Sequence, residues 1–275
     1  MLLREVQYAR PQTVEEAVGL LAANDGARAL AGGQTLVNVM KARAASPDVL
    51  VDLQDLDELR GVRDLGGGSV EIGAMTTYAQ LVSDEAAGAR SILGEVAATI
   101  ADVQVRNRGT IGGNVCSNDP TNHLPPLLVA LGATFTIIGS GGERTVPAED
   151  FFVGVYVTAV GPGELLTRVT VPPGGQDGFT AVTIGREGTG IVTAAASLNG
   201  GARIVIGCVD AVPVRASRME ERLGSDFSDG NVRAAAEGLG ATLDPPGDVH
   251  ASADYRRHLA EVLAVRAVAA ARERR

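Results

Sequence analysis

The sequence predicts an α+β protein in three parts, and three observations carry that prediction. From the N-terminus to Val171, short strand patterns and helical patterns interleave. The stretch Pro172-Pro173-Gly174-Gly175-Gln176 then interrupts the chain with the composition of a linker. Beyond it, three strand patterns joined by glycine turns precede helices alone, the order expected when sheet and helices segregate. The implied boundaries are 1–55 and 56–174 for two N-terminal subdomains and 177–275 for a C-terminal domain.

Each element has a local reason. Thr13-Val14-Glu15-Glu16 reads as a capping box, and Val14, Ala17, Val18 and Leu21 then recur at helical spacing until Asn24-Asp25-Gly26. A strand at 27–31 runs into Gly32-Gly33, and residues 35–43 read as a helix with Leu36, Val39 and Met40 on one face. Strands are expected at 49–53 and 69–74, and helices at 76–83 and 92–103. Arg106-Asn107-Arg108-Gly109 reads as a loop delivering Thr110-Ile111-Gly112-Gly113-Asn114. Prolines open a short helix at 124–131, where a missing N–H costs nothing, and Gly132 ends it. Residues 133–138 and 144–147 form a hairpin about Gly139-Ser140-Gly141-Gly142, and 164–171 a strand that stops at the prolines. The C-terminal part holds strands at 179–186, 192–199 and 203–210 in one antiparallel sheet, then helices at 215–223, 228–238 and 252–272. In the last helix Tyr255, Leu259, Val262, Leu263 and Val265 line one stripe.

A chain of 275 residues with 45% hydrophobic content can bury a substantial core. Its formal net charge of −9 argues against a nucleic-acid partner, since phosphate backbones need a basic face. Lys41 is the only lysine, which reads as the coding bias of a GC-rich genome rather than as function. Two cysteines, Cys116 and Cys208, are too few for a disulfide framework or for an iron–sulfur cluster, which takes about four thiolates. The start lacks the apolar core of a signal peptide, and the longest uncharged stretch, 120–142, is broken by three prolines. A cytoplasmic protein with no membrane span is expected.

The most informative feature is a pair of glycine segments about eighty residues apart, Ala31-Gly32-Gly33-Gln34-Thr35 and Thr110-Ile111-Gly112-Gly113-Asn114. Taken singly, a Gly-Gly pair is a tight turn. Two of them at junctions of regular elements, each followed by hydrogen-bonding side chains (Gln34 and Thr35, then Asn114 and Ser117), point to paired cradles of main-chain N–H groups. Such cradles suit the pyrophosphate of a dinucleotide. Neither Gly188-Thr189-Gly190 nor Gly139-Ser140-Gly141 has the third glycine of a Rossmann fingerprint, and no Walker segment occurs. His123, His250 and His258 are not spaced as metal ligands. No nucleophile, acid or base stands out, so no catalytic residue is assigned.

Leu30-Ala31-Gly32-Gly33-Gln34-Thr35-Leu36 and Arg106-Asn107-Arg108-Gly109-Thr110-Ile111-Gly112-Gly113-Asn114 resemble the two FAD-binding signatures of molybdenum hydroxylase flavoprotein subunits, the medium subunits of the xanthine dehydrogenase and aerobic carbon monoxide dehydrogenase type. The resemblance extends to Tyr8-Ala9-Arg10-Pro11, Val51-Asp52-Leu53, Val70-Glu71-Ile72-Gly73-Ala74 and Ala253-Asp254-Tyr255-Arg256-Arg257. It implies a two-subdomain FAD-binding fold of the vanillyl-alcohol-oxidase-like (PCMH) type, followed by a three-stranded antiparallel sheet with a helical bundle. It also implies cofactor contacts from residues 30–36, from Thr110 to Asn114 and from Ser117. Leu165 and Leu166 would lie against the adenine or ring system, and Ile100 and Ala101, on the last turns of their helix, against the isoalloxazine.

Two positions depart from the family pattern. Where many members carry an aspartate, this chain has His123, so a ribose hydroxyl would fall to the imidazole or to Asp119. Many members also place an aromatic residue shortly after the position of Arg186, and here the stretch is Gly188-Thr189-Gly190-Ile191. The implied function is electron transfer through non-covalent FAD, since Gln34 occupies the slot where related oxidases carry a flavin-linking histidine. A molybdenum-cytosine dinucleotide would sit on a large molybdopterin-binding subunit and two [2Fe-2S] clusters on a small subunit, in a heterotrimer or its dimer. The alternative is a self-sufficient flavin oxidase or dehydrogenase of a small molecule.

Overall fold

The computed structural model describes residues 3–185 and 188–274. The N-terminal part is a three-stranded parallel sheet of β1 (Gln7–Ala9), β2 (Ala27–Leu30) and β3 (Val49–Asp52), in the order β1-β3-β2. Helix α1 (Val14–Ala22) covers it with Val14, Ala17, Val18 and Leu21, as its spacing predicts. The cap differs from a full box. Thr13 accepts from the Glu16 N–H, but the Glu16 carboxylate reaches back to the N–H of Gln12, one residue before the cap. Helix α2 (Leu36–Lys41) follows β2 after the first glycine segment.

The middle part is built on a five-stranded antiparallel sheet. It contains β4 (Val62–Gly66), β5 (Ser69–Gly73), β6 (Thr134–Gly139), β7 (Gly142–Pro147) and β10 (Leu165–Val171), in the order β4-β5-β10-β6-β7. Its helices are α3 (Tyr78–Ser83), α4 (Ile92–Ala98), α5 (Val103–Arg108), α6 (Ile111–Ser117), α7 (Leu124–Ala130) and the single turn α8 (Ala148–Phe151). The two-stranded β8 (Phe152–Gly154) and β9 (Val157–Thr158) precede β10. Val70, Ile72, Leu93, Val96, Leu127, Leu128, Phe135, Ile137 and Val169 form one buried cluster, in which Phe135 and Phe151 stack with centroids 4.0 Å apart.

Two expectations change here. The apolar pattern over 92–103 does not make one helix: α4 stops at Ala98, Ile100 and Ala101 form a turn, and Arg106, Asn107 and Arg108, expected in a loop, belong to α5, which begins at Val103. The turn is possible because Ala101 takes a left-handed φ of 48°, which no helix continues.

The C-terminal sheet has four strands rather than three. β11 (Asp177–Thr183), β12 (Gly190–Ser197) and β13 (Arg203–Gly207) are antiparallel, and the two-residue β14 (Val214–Arg215) adds an edge. Arg186, which the strand expected at 179–186 includes, lies outside the described residues. Helices α9 (Ser217–Leu223) and α10 (Asp229–Ala236) precede α11 (Ala253–Glu273), which crosses the sheet. The buried row of α11 is Arg256, Leu259, Ala260, Leu263, Ala264, Ala267, Val268 and Ala271, whereas Tyr255 is exposed. Four of these eight are alanine, and at Ala267 the helix comes so close to the sheet that a Cβ on Gly178 would overlap the Ala267 carbonyl.

The proline–glycine stretch at 172–176 is a strap tied down at both sides. Arg90 and Asp177, each 1% exposed, form an ion pair at 2.6 Å. Arg90 also donates to the Pro172 carbonyl at 2.9 Å, and Asn199 donates to Asp177 at 3.0 Å. The middle part and the C-terminal sheet are thereby joined through buried charge.

Candidate functional site

In the first glycine segment the carbonyls of Gly32, Gly33, Gln34 and Thr35 are all occupied. The Gln34 side chain donates to Gly32 O at 3.1 Å, and Asn38 donates to Gln34 O at 2.6 Å. Val37 N–H donates to Gly33 O and Val39 N–H to Thr35 O. The N–H groups of Gly32, Gly33, Gln34 and Thr35, by contrast, find no acceptor among the described residues. Gly33 holds φ 72°, the left-handed conformation that turns the main chain into this concave run of donors. A loop with satisfied acceptors and spare donors is chemically a receptor for an anion. Leu30 and Leu36 flank it, both half-buried.

The second segment is not a matching cradle, contrary to the expectation of bare N–H groups there. Ile111 N–H donates to Thr76 O at 3.0 Å and Gly112 N–H to Ala74 O at 2.8 Å. Gly113 N–H goes to the Thr110 hydroxyl at 3.0 Å and Asn114 N–H to Thr110 O. Its glycines serve close packing instead, since a Cβ on Gly112 would stand 2.6 Å from the Ala74 carbonyl oxygen. What this segment leaves free is a side-chain acceptor. Asn114 is buried and donates to the Tyr78 hydroxyl at 2.9 Å, while its Oδ1 has no partner among the described residues. A buried acceptor in that state costs stability unless something donates to it.

The two segments meet. A Cβ on Gly32 would overlap the Arg108 carbonyl and lie 2.9 Å from Gly109 Cα. A Cβ on Gly113 would lie 3.6 Å from Ala31 Cβ. Glycine at 32 is therefore required by the approach of the chain just before the second segment, a packing reason invisible along the sequence.

The remaining expected site residues divide. Ser117 donates to Asn114 O at 2.8 Å, and Asn122 donates both to that carbonyl and to the Ser117 hydroxyl, so the end of α6 is closely knit. Asp119 Oδ1 accepts from the N–H and hydroxyl of Thr121, leaving Oδ2 to a long contact from Tyr156 at 3.4 Å. His123 is buried against Phe179 with ring centroids 5.6 Å apart. Burial pulls its pKa down to about 4, so the ring is neutral, and Nδ1 has no partner among the described residues. Leu165 and Leu166 are both buried. Leu165 joins the cluster around Val51, Leu56 and Met75, and Leu166 the cluster around Phe135 and Val169, so the pair seals two cores from opposite faces of β10. Ile100 and Ala101 are half-buried in their turn, not on a helix.

Sequence reasoning missed Tyr78, whose ring lies under the second segment: a Cβ on Gly109 would stand 2.6 Å from Tyr78 Cε2. A buried tyrosine with a hydroxyl to satisfy was the available signal. It also missed Ala74 and Thr76, whose carbonyls hold the second segment, because carbonyls leave no trace in side-chain chemistry. Burial drives the thiols of Cys116 and Cys208 up to about 12, so neither is a thiolate ligand at ordinary pH.

Comparison with known proteins places this geometry. Residues 4–174 match the family described as FAD binding domain in molybdopterin dehydrogenase, and residues 189–271 match CO dehydrogenase flavoprotein C-terminal domain. The carbon monoxide dehydrogenase medium chain of Afipia carboxidovorans is 39% identical, over 100% of this chain and 99% of that one. The glyceraldehyde dehydrogenase medium chain of Sulfolobus acidocaldarius is 35% identical over 96% and 97%. Among solved structures, a chain of quinoline 2-oxidoreductase from Pseudomonas putida 86 superposes with a TM-score of 0.93, at 33% identity and 99% coverage of both chains.

Proposed function

Because this chain belongs to the family of FAD-binding medium subunits of molybdenum hydroxylases, we propose that it takes electrons from iron–sulfur clusters of a partner chain and passes them through FAD to an external acceptor. The observation that carries the reading is the loop of spare donors at Gly32–Gly33–Gln34–Thr35, against which the second segment is packed. The residues fit the group. The loop donors suit the pyrophosphate, and the unpartnered Asn114 Oδ1 suits a hydroxyl or N–H of the cofactor. Gly113 and Ser117 border the same place, with Ile100 and Ala101 as the surface for the flavin ring. For the ribose, Asp119 with its less occupied Oδ2 is the better candidate than the buried, neutral His123.

FAD supplies the redox chemistry when bound, and the protein supplies position and electrostatics. The chain orients the diphosphate by main-chain donors and excludes water with the apolar residues flanking them. It contributes no covalent link, since Gln34 occupies the linking slot and bonds back to Gly32 O. We assign residues 1–55 and 56–174 to the two parts of the FAD-binding unit and 177–275 to the C-terminal domain. A small subunit with two [2Fe-2S] clusters and a large subunit with a molybdenum-cytosine dinucleotide complete the unit, as a heterotrimer or its dimer, in the cytoplasm. That division is supported by the two cysteines here, both protonated at ordinary pH, where a cluster needs about four thiolates. Among the described residues no helix is long and apolar enough to cross a membrane.

Purification tests the reading. The chain is expected to be yellow or to take up FAD stoichiometrically, to release it in acid, and to oxidise no organic substrate until partner subunits are added. Turnover by the chain alone, or failure to bind FAD after reconstitution, overturns it.

A further inference from the structure

We infer that Arg106 is a positioning residue that locks the Ile100–Ala101 turn in place beside the cofactor loop. The inference rests on the FAD reading above and goes beyond it, because no cofactor contact is assigned to Arg106 itself. Ala101 holds a left-handed φ of 48° without being glycine. For an L-residue that conformation is disfavoured by about tenfold, or ~1.4 kcal/mol, so something must hold it. The Arg106 guanidinium does so, with Nη1 donating to Ile100 O at 3.1 Å and to Ala101 O at 2.5 Å.

The consequence reaches the cofactor loop through one short helix. Arg106 lies in α5, and the carbonyl of Arg108 at the end of α5 is the group Gly32 packs against. The turn, α5 and the first glycine segment therefore form one mechanical piece. At one end of it lie the spare donors of Gly32 to Thr35, and at the other the Ala101 N–H, which also has no acceptor among the described residues. By occupying the two carbonyls of the turn, Arg106 leaves the Ala101 N–H, a donor, as the turn's open main-chain group. A flavin, whose polar edge is rich in acceptors, needs that arrangement.

The test separates the hold on the turn from a general loss of structure. In the full-length chain, Arg106→Ala is expected to weaken FAD binding about tenfold, read by flavin fluorescence titration, and to blur the visible flavin absorption band. Adding Ala101→Gly to Arg106→Ala should restore binding to within about threefold of the parent, because glycine adopts positive φ freely. Arg106→Lys, which keeps a donor and covers the case in which the alanine variant does not fold, should lose about threefold and be rescued by the same glycine. Unchanged binding and spectrum in Arg106→Ala, or a glycine that rescues neither variant, overturns the positioning role while FAD binding by the parent chain keeps the flavoprotein reading intact. A parent chain that binds no FAD overturns both.

Discussion

The side-chain amide of Asn114 donates to the hydroxyl of Tyr78 at 2.9 Å, and this single bond decides which way the unpartnered Asn114 oxygen faces. Tyr78 is buried at the start of α3 and Asn114 lies in the first turns of α6, so the pair ties two helices beneath the second glycine segment. Burial pushes the Tyr78 hydroxyl up to about 12, so it stays protonated and fixed in its role across the ordinary pH range.

Tyr78→Phe keeps the ring and removes that partner. It is expected to cost about 1–2 kcal/mol of stability, the penalty of a buried amide left unpaired. FAD affinity should fall as well, because the Asn114 amide becomes free to reverse. Urea denaturation of the apo chain and FAD titration measure the two effects separately; an unchanged affinity would remove Asn114 from the cofactor contacts.

Substitution at the glycines should divide by cause. In Gly112→Val and Gly32→Ala the new carbon meets protein, the Ala74 carbonyl and the Arg108 carbonyl respectively. Both variants should therefore lose several kcal/mol in the apo chain, before any cofactor is added. Gly33→Ala meets only side-chain methyls, Val37 at 3.2 Å and Leu30 at 3.5 Å, and a positive φ, with an expected cost of about 1–2 kcal/mol. Its apo melting temperature should fall modestly, while FAD binding, which depends on the loop donors Gly33 shapes, falls more.

Arg90→Ala should be among the most damaging changes outside the two glycine segments. It strands the Asp177 carboxylate, 1% exposed, with the Asn199 amide as its one remaining side-chain hydrogen-bond donor among the described residues. Removing one partner of a buried pair costs about 3–5 kcal/mol. Because the pair joins the middle part to the C-terminal sheet, differential scanning calorimetry should show the melting transition lowered, or split into two.

Acid should destabilise the chain through His123. Burial holds its pKa at about 4 in the folded state, below the ~6.5 of an unfolded histidine. The unfolded chain thus binds the extra proton first as pH falls. The stability tied to a neutral His123 is complete above about pH 6.5 and is lost progressively down to about pH 4, with about 2 kcal/mol gone by pH 5. His123→Gln should flatten that part of the stability curve; an identical slope in the variant would assign the acid sensitivity to other groups.

Much of this protein is readable along the chain because its signals are local. α1 declares itself through a threonine cap and four apolar positions at helical spacing, and β12 through an apolar run that only Thr193 interrupts before Ser197. What escaped notice has a common physical cause. Strands such as β9 and β14, two residues long, carry no periodicity to detect. The apolar pattern over 92–103 is continuous, yet a left-handed Ala101 cuts it, since a backbone angle held by an arginine five residues on has no compositional mark. Of the stripe expected on α11, Leu259 and Leu263 are buried but Tyr255 is exposed, because the face that meets the sheet is filled out by small alanines at 260, 264, 267 and 271.

Composition and the placement of glycines were enough to announce a dinucleotide-binding α+β protein, because a turn that needs positive φ or bare main chain can be written only in glycine. What each glycine does for the backbone was decided in three dimensions. Gly33 bends a loop in which the carbonyls of residues 32–35 are taken and the N–H groups find no acceptor among the described residues, whereas Gly32 and Gly112 exist so that backbones can touch. The partners in those contacts, Arg108 for Gly32 and Ala74 for Gly112, lie tens of residues away. Packing, which acts through space, chose them.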